Sequence, residues 1–133
     1  MKYLVKKQAK SDFYEIFERW SNLHKFPLMS KEILPENAFV CYNEDDDPIY
    51  SVWFYHTDSK LAWTAFPMSN KNIRYNKRER GLDFLFNYVN KYAKKKGYLS
   101  LITTSNTKEV ISSLEKNGFL EADMNVNQYV KKL

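Results

Sequence analysis

In 133 residues the chain carries three glycines, one cysteine and two histidines. A single cysteine, Cys41, rules out an intrachain disulfide and points to a reducing compartment, the cytoplasm. Its simplest role is that of a small buried hydrophobe rather than a nucleophile. Two histidines and one cysteine without ligand spacing give no basis for a metal site. No stretch approaches the roughly 20 apolar residues that span a bilayer. Residues 1–10 carry charges and no long apolar run, so they do not read as a secretory signal. With four prolines, few glycines and no repeat, there is no linker to divide the chain, and residues 1–133 read as one domain. What is abundant is apolar: 44% hydrophobic and 17% aromatic residues exclude a disordered chain and provide a core.

Charge is placed unevenly. The formal net charge is +5, yet residues 69–97 alone hold nine Lys and Arg against Glu79 and Asp83. The remainder is slightly acidic, with a knot at residues 44–47. A local basic segment suits a phosphate-bearing ligand; a solvated helix face is the plainer alternative, and it is the reading for Lys94, Lys95 and Lys96.

Residues 3–7 read as a first strand. Ser11 is placed to cap a helix whose apolar stripe is Phe13, Ile16, Phe17, Trp20 and Leu23. Ser30 is placed to cap a short second helix ending before Pro35. The period then changes: residues 38–42, 49–56 and 61–67 are aromatic and β-branched runs separated by turn-like segments, a three-stranded meander. Leu82, Leu85, Phe86, Val89, Tyr92 and Ala93 recur at helical steps, with Gly97 just past the end. A strand over 99–104, a helix through Val110, Ile111 and Leu114 stopped by Gly118, and two closing strands near 119–123 and 128–132 complete the reading. The order is β-α-α-β-β-β-α-β-α-β-β. It implies an α/β domain of α+β type, a mostly antiparallel mixed sheet with one right-handed crossover that sets 61–67 parallel to 99–104.

That order, together with local motifs, resembles the GNAT superfamily of acyl-CoA N-acyltransferases. The match is best over residues 61–119. A strand ends in Phe66-Pro67, Tyr92-Ala93-Lys94-Lys95-Lys96-Gly97-Tyr98 looks like the family's helix end, and Leu114-Glu115-Lys116-Asn117-Gly118-Phe119 looks like its closing helix. Ser69-Asn70, Arg78-x-x-Gly81-Leu82 and Thr103-Thr104-Ser105-Asn106 look like the variant members common among bacteriophages. The chain departs from the family in its phosphate loop, where Lys77, Arg80 and Leu82, or Arg78, Gly81 and Asp83, stand in a glycine-rich pattern. It also has Leu114 where a tyrosine commonly protonates the leaving thiolate.

The resemblance implies acetyl-CoA as cofactor and an amine of a small molecule or protein as acceptor, with work in the cytoplasm, a host's if phage-encoded. It places the cofactor against Phe66, Met68, Lys77, Arg78, Arg80, Gly81 and Asn106. The chemistry agrees with the first part of that set. A helix start offers N–H groups and a positive dipole end to phosphate. Backbone N–H groups on residues 65–68 would polarise a carbonyl; Pro67 has none, and either splays the strand or simply ends it. A base must take the amine's proton, and His56 has the suitable titration range, with Asp58 and Glu36 behind it. Tyr129, Ser112 and Ser113 are the stand-ins for the missing thiolate acid. Two other classes stay open. A silent coenzyme A-binding module would explain Leu114 and the altered loop. A nucleic-acid-binding protein would use the basic helix and the stripe Trp53, Tyr55, Trp63 and Phe66, though strand alternation in a core explains that stripe fully and is the commoner cause.

Overall fold

Alternation on short aromatic runs builds one sheet, and two sets of helices cover its faces. The computed structural model describes residues 2–105, 107–123 and 126–133. Its strands are β1 (Leu4–Ala9), β2 (Asn37–Tyr42), β3 (Pro48–Tyr55), β4 (Leu61–Ser69) and β5 (Ser100–Ile102). They lie in chain order across the sheet; β1 to β4 are antiparallel neighbours, and β5 runs parallel to β4. The parallel pair demands a crossover, and α2 (Gly81–Lys95) supplies it. The α+β class, with a mostly antiparallel mixed sheet and one parallel β-α-β unit, is therefore the observed one.

Side-chain direction assigns the layers. Val52 and Phe54 of β3, Phe39 of β2 and Ala62 of β4 pack with Leu85, Phe86 and Val89 of α2 and with Val110 and Leu114 of α3 (Lys108–Lys116). Trp53, Ala38 and Val40 point to the opposite face and pack with Phe13, Phe17 and Trp20 of α1 (Lys10–His24). Trp53 is fully buried, edge-on to Phe17 at 5.4 Å, so the aromatic stripe is core there.

Several local expectations shift. Helix α1 begins directly after β1, with Ala9 at the N-cap and no side-chain cap; Ser11 lies inside the first turn. The backbone does the capping work instead, since Lys10 N–H donates to the Glu36 carbonyl at 2.9 Å. Leu23 ends the stripe 39% exposed. Ser30 does cap, accepting from Glu32 N–H, but the element is a 3-10 turn over Lys31–Ile33. Strand β5 spans three residues rather than 99–104. The two closing strands are absent among the described residues: Leu120, Tyr129 and Val130 are 90%, 89% and 86% exposed. A three-residue edge presents too few backbone groups to template them. Phe119 is the last residue packed on the core, against Phe86 at 6.0 Å. No helix among the described residues is long and apolar enough to cross a membrane.

Candidate functional site

Strand β4 outruns its parallel partner. Leu61, Ala62 and Trp63 pair with Ser100, Leu101 and Ile102, and β4 then continues to Ser69. Within that continuation Phe66 has φ 54, a left-handed conformation unusual for an aromatic residue. The register against β3 shifts between Ser51 and Trp53, so the strand bulges there. Pro67 follows and brings no N–H. The parting thus begins after Trp63, earlier along the strand than Pro67. Two buried hydroxyls border it, Thr64 Oγ1 on β4 and Thr103 Oγ1 just past β5, and Ser113 Oγ on α3 is buried likewise. None has a hydrogen-bond partner among the described residues. Buried polar atoms without partners are uncommon and suit a polar ligand passing between these elements.

The start of α2 meets this end of β4 because its loop is tied down at three points. Asn70 donates to the Pro48 carbonyl at 2.9 Å, and its own N–H reaches the Ile49 carbonyl at 2.8 Å. Asn43, 5% exposed, donates to the Lys77 carbonyl at 3.0 Å while its Oδ1 accepts from Asp45 and Asp47 N–H. Arg78 donates through Nε to the Ile73 carbonyl at 3.1 Å. Gly81 then lets the helix lie against β3, for a Cβ there would stand 2.5 Å from Ile49 Cδ1 and 3.1 Å from Tyr50 Cδ2. No side chain caps α2; Arg80 holds the N-cap at φ 69.

The three basic residues of this loop differ in availability. Arg78 Nη1 donates to Tyr50 Oη at 2.7 Å and pairs with Glu109 Oε1 at 3.2 Å, while the Tyr50 hydroxyl donates to the same carboxylate. Burial, then Glu109, push the Tyr50 hydroxyl's pKa upward, so it stays a donor. Arg78 is thereby a cross-link between β3, the loop and the first turn of α3. Lys77 makes only an open pair with Asp45 at 3.6 Å, and Arg80 makes no ion pair among the described residues.

On the α1 face, the bulge lines an apolar cavity of about 210 Å³. Phe66, Pro67 and Met68 form one wall, Phe17, Phe26 and Met29 the other. His24, at the end of α1, stands beside it. Its Nε2 lies 2.8 Å from the Ser69 carbonyl, and its ring stacks on Phe26 at 5.0 Å and 12°. A carbonyl only accepts, so Nε2 is the donor in that contact.

The structure sets Phe66 and Met68 in the last part of β4 and Gly81 at the same end of the sheet, against Ile49 and Tyr50, while Lys77 stands by the β2–β3 turn beside Asp45 and Arg80 lines a groove with Tyr3, Glu79 and Phe84. It does not bring His56 to that end of the sheet. Ser51 pairs with Met68 but Tyr55 pairs with Trp63, so His56 lies about 13 Å along the strand from the bulge. It sits at the other end of α2, bonded through Nδ1 to Tyr98 Oη at 2.9 Å and packed on Tyr92. Burial, then Lys96 and Lys7, depress its pKa. Asp58, just beyond β3, and Glu36, just before β2, share that far end. Ser113 is buried on α3 and Ser112 exposed; Leu114 is buried, and Tyr129 stands in exposed coil. Asn106 lies outside the described residues. Cys41 is buried, its thiol pushed up to about 12 by desolvation, which suits a core residue. Sequence reasoning passed over His24, Tyr50 and Glu109.

No protein-family model matches the chain, and no curated protein matches it in sequence. Solved structures match its fold. An aminoglycoside acetyltransferase from an uncultured soil metagenomic sample superposes with a TM-score of 0.70 at 13% identity, covering 98% of this chain and 96% of that one. A ribosomal-protein-alanine N-acetyltransferase from Brucella melitensis gives 0.68 at 13%, covering 99% and 100%. Glucosamine-6-phosphate N-acetyltransferase from Arabidopsis thaliana gives 0.65 at 12%, covering 98% and 100%. At such identities the likeness establishes the fold: the chain has the architecture of the GNAT acetyltransferases.

Proposed function

We propose that the chain is an N-acyltransferase that moves an acetyl group from acetyl-CoA to an amine. One observation carries the reading: β4 runs past its parallel partner, through a bulge, to the uncapped basic start of α2. Acetyl-CoA, when bound, supplies an activated acyl group. The chain's own residues would do the rest. The α2 start, with Gly81 drawn against β3 and Lys77 and Arg80 beside it, offers N–H groups and positive charge to phosphates. Backbone N–H groups of Phe66 and Met68 are the candidates for polarising a carbonyl. The unpartnered hydroxyls of Thr64 and Thr103 offer polar contacts along the parting, and the buried hydroxyl of Ser113 on α3 is the candidate proton donor. His24 takes the base's part, since an amine must lose a proton before it attacks. Arg78, already bound by Glu109 and Tyr50, serves the loop's shape more than the cofactor's charge. Asn106 and the kinship with bacteriophage-type members rest on sequence motifs, and a site of action in the cytoplasm rests on the lone cysteine.

The test is a thermal-shift titration with acetyl-CoA, paired with thiol release on addition of amines. A native-state ligand at about 100 times its Kd stabilises by about 2.7 kcal/mol, and a matching rise in melting temperature is expected. Binding without thiol release would leave a silent coenzyme A-binding module. A salt-sensitive gel shift with single-stranded DNA, and no response to coenzyme A, would replace the proposal with nucleic-acid binding.

A further inference from the structure

The cavity beneath the β4 bulge has a chemistry of its own. Its walls are Phe17, Phe26, Met29, Phe66, Pro67 and Met68, with Ser21 at its floor. The Ser21 hydroxyl is turned onto Met68 Sδ at 3.8 Å, so even this polar group is occupied. Among the described residues no charged side chain lines the cavity. At about 210 Å³ it exceeds the roughly 150 Å³ in which an apolar pocket holds a benzene ring. An acetyl group would leave most of it empty, and a polyamine would leave its charges unpaired there.

The faces of the sheet say which substrate reaches it. The basic loop and the start of α2 pack on the face of Ile49 and Tyr50, together with α3. The cavity opens on the other face, between α1 and the segment after it. The bulge is the part of β4 nearest both, since Phe66 and Pro67 belong to it and line the cavity. His24, hydrogen-bonded to Ser69 and stacked on Phe26, stands at the cavity's rim, where an amine attached to a buried apolar group would lie.

We propose that this cavity is the acceptor subsite, and that the acceptor is an amine bearing an aromatic or branched aliphatic group. This rests on the transferase reading and narrows it: cationic sugars and polyamines are poor fits, and arylalkyl amines or peptides headed by an apolar residue are good ones.

Binding can be read without turnover, from the Met29 and Met68 methyl resonances of the intact chain. 2-Phenylethylamine should shift both saturably, and spermidine should shift neither. Ser21→Leu, which fills the floor, should weaken 2-phenylethylamine binding at least tenfold. Should that buried substitution unfold the chain, Met29→Ala provides a second reading, since the widened cavity should favour tryptamine over 2-phenylethylamine by several-fold. In acetyl-CoA-dependent thiol release the same order should appear in kcat/KM, at least tenfold for 2-phenylethylamine over spermidine. Methyl shifts without thiol release would overturn the transferase reading and leave the apolar subsite standing. Equal response to both amines would overturn the subsite. So would shifts produced by octanoyl-CoA but not by 2-phenylethylamine, since the occupant would then be an acyl chain.

Discussion

Arg78 and Arg80 stand two positions apart in the same basic segment and have opposite surroundings. The Arg78 side chain is 16% exposed and holds Glu109, Tyr50 and the Ile73 carbonyl. Truncating it strands a carboxylate and a hydroxyl, so Arg78→Ala should lower stability by about 1–3 kcal/mol in urea unfolding. Arg80 is exposed and pays for a left-handed backbone that glycine adopts freely. Arg80→Gly should therefore raise stability, by up to about 1 kcal/mol, while weakening coenzyme A binding and flattening its salt dependence in calorimetric titrations at two ionic strengths. Lys95→Ala, at the far end of α2, should change neither. Equal behaviour of Arg80→Gly and Lys95→Ala in those titrations would reduce the basic cluster to a solvated face. His56 gives a pH signature instead. Its folded pKa lies below 6.5, so the unfolded chain binds the proton first. Its contribution is present above pH 6.5 and lost as pH falls below it; His56→Gln should flatten the drop in melting temperature between about pH 7.5 and 5.5.

At α2, packing depends on the absence of a side chain. Gly81 is buried where a methyl group would meet Ile49 and Tyr50, both themselves buried. Gly81→Ala gains helix propensity but overpacks the junction, and a net loss of about 1–3 kcal/mol is expected in thermal or urea unfolding. The same substitution should weaken coenzyme A binding, because the helix start would be pushed off β3. A stability gain would mean that Ile49 and Tyr50 move aside easily. The glycine itself is visible in the sequence, but its reason is not. Periodicity exposes a helix face or a strand face, which is why Phe13, Phe17 and Trp20 on α1, Leu85, Phe86 and Val89 on α2, and the meander over β2 to β4 were legible. Periodicity carries no information on which distant groups meet. His24 meets Ser69 across 45 positions and Arg78 meets Glu109 across 31, and neither meeting leaves a periodic trace. The closing strands failed for a different reason: their residues have strand-like composition, and the partner edge that would have to accept them is only three residues long.

Across the whole molecule, stability is graded from the sheet's centre to its open side. Strands β2 and β3 are paired on both edges and covered on both faces, with Val40, Val52 and Trp53 fully buried. Strand β5 holds three residue pairs, its outer edge has no strand partner among the described residues, and Leu99 beside it is 83% exposed. Local opening should therefore begin at β5 and along β4 beyond Trp63, well below the free energy of global unfolding. Hydrogen exchange on the free chain should show fast amides at residues 100–102 and slowest exchange in β2 and β3. A ligand seated where the parallel pair parts would restrain those elements by its differential affinity for the closed state. Acetyl-CoA at saturation should slow exchange at residues 64–69, at 100–103 and in the first turn of α2. It should leave His56, Tyr98 and the far end of α2 unchanged apart from a uniform shift equal to the gain in global stability. Protection concentrated at the Lys94–Lys96 end instead would move the ligand to the opposite end of the sheet, where His56 and Glu36 stand, and would return the base's part to His56.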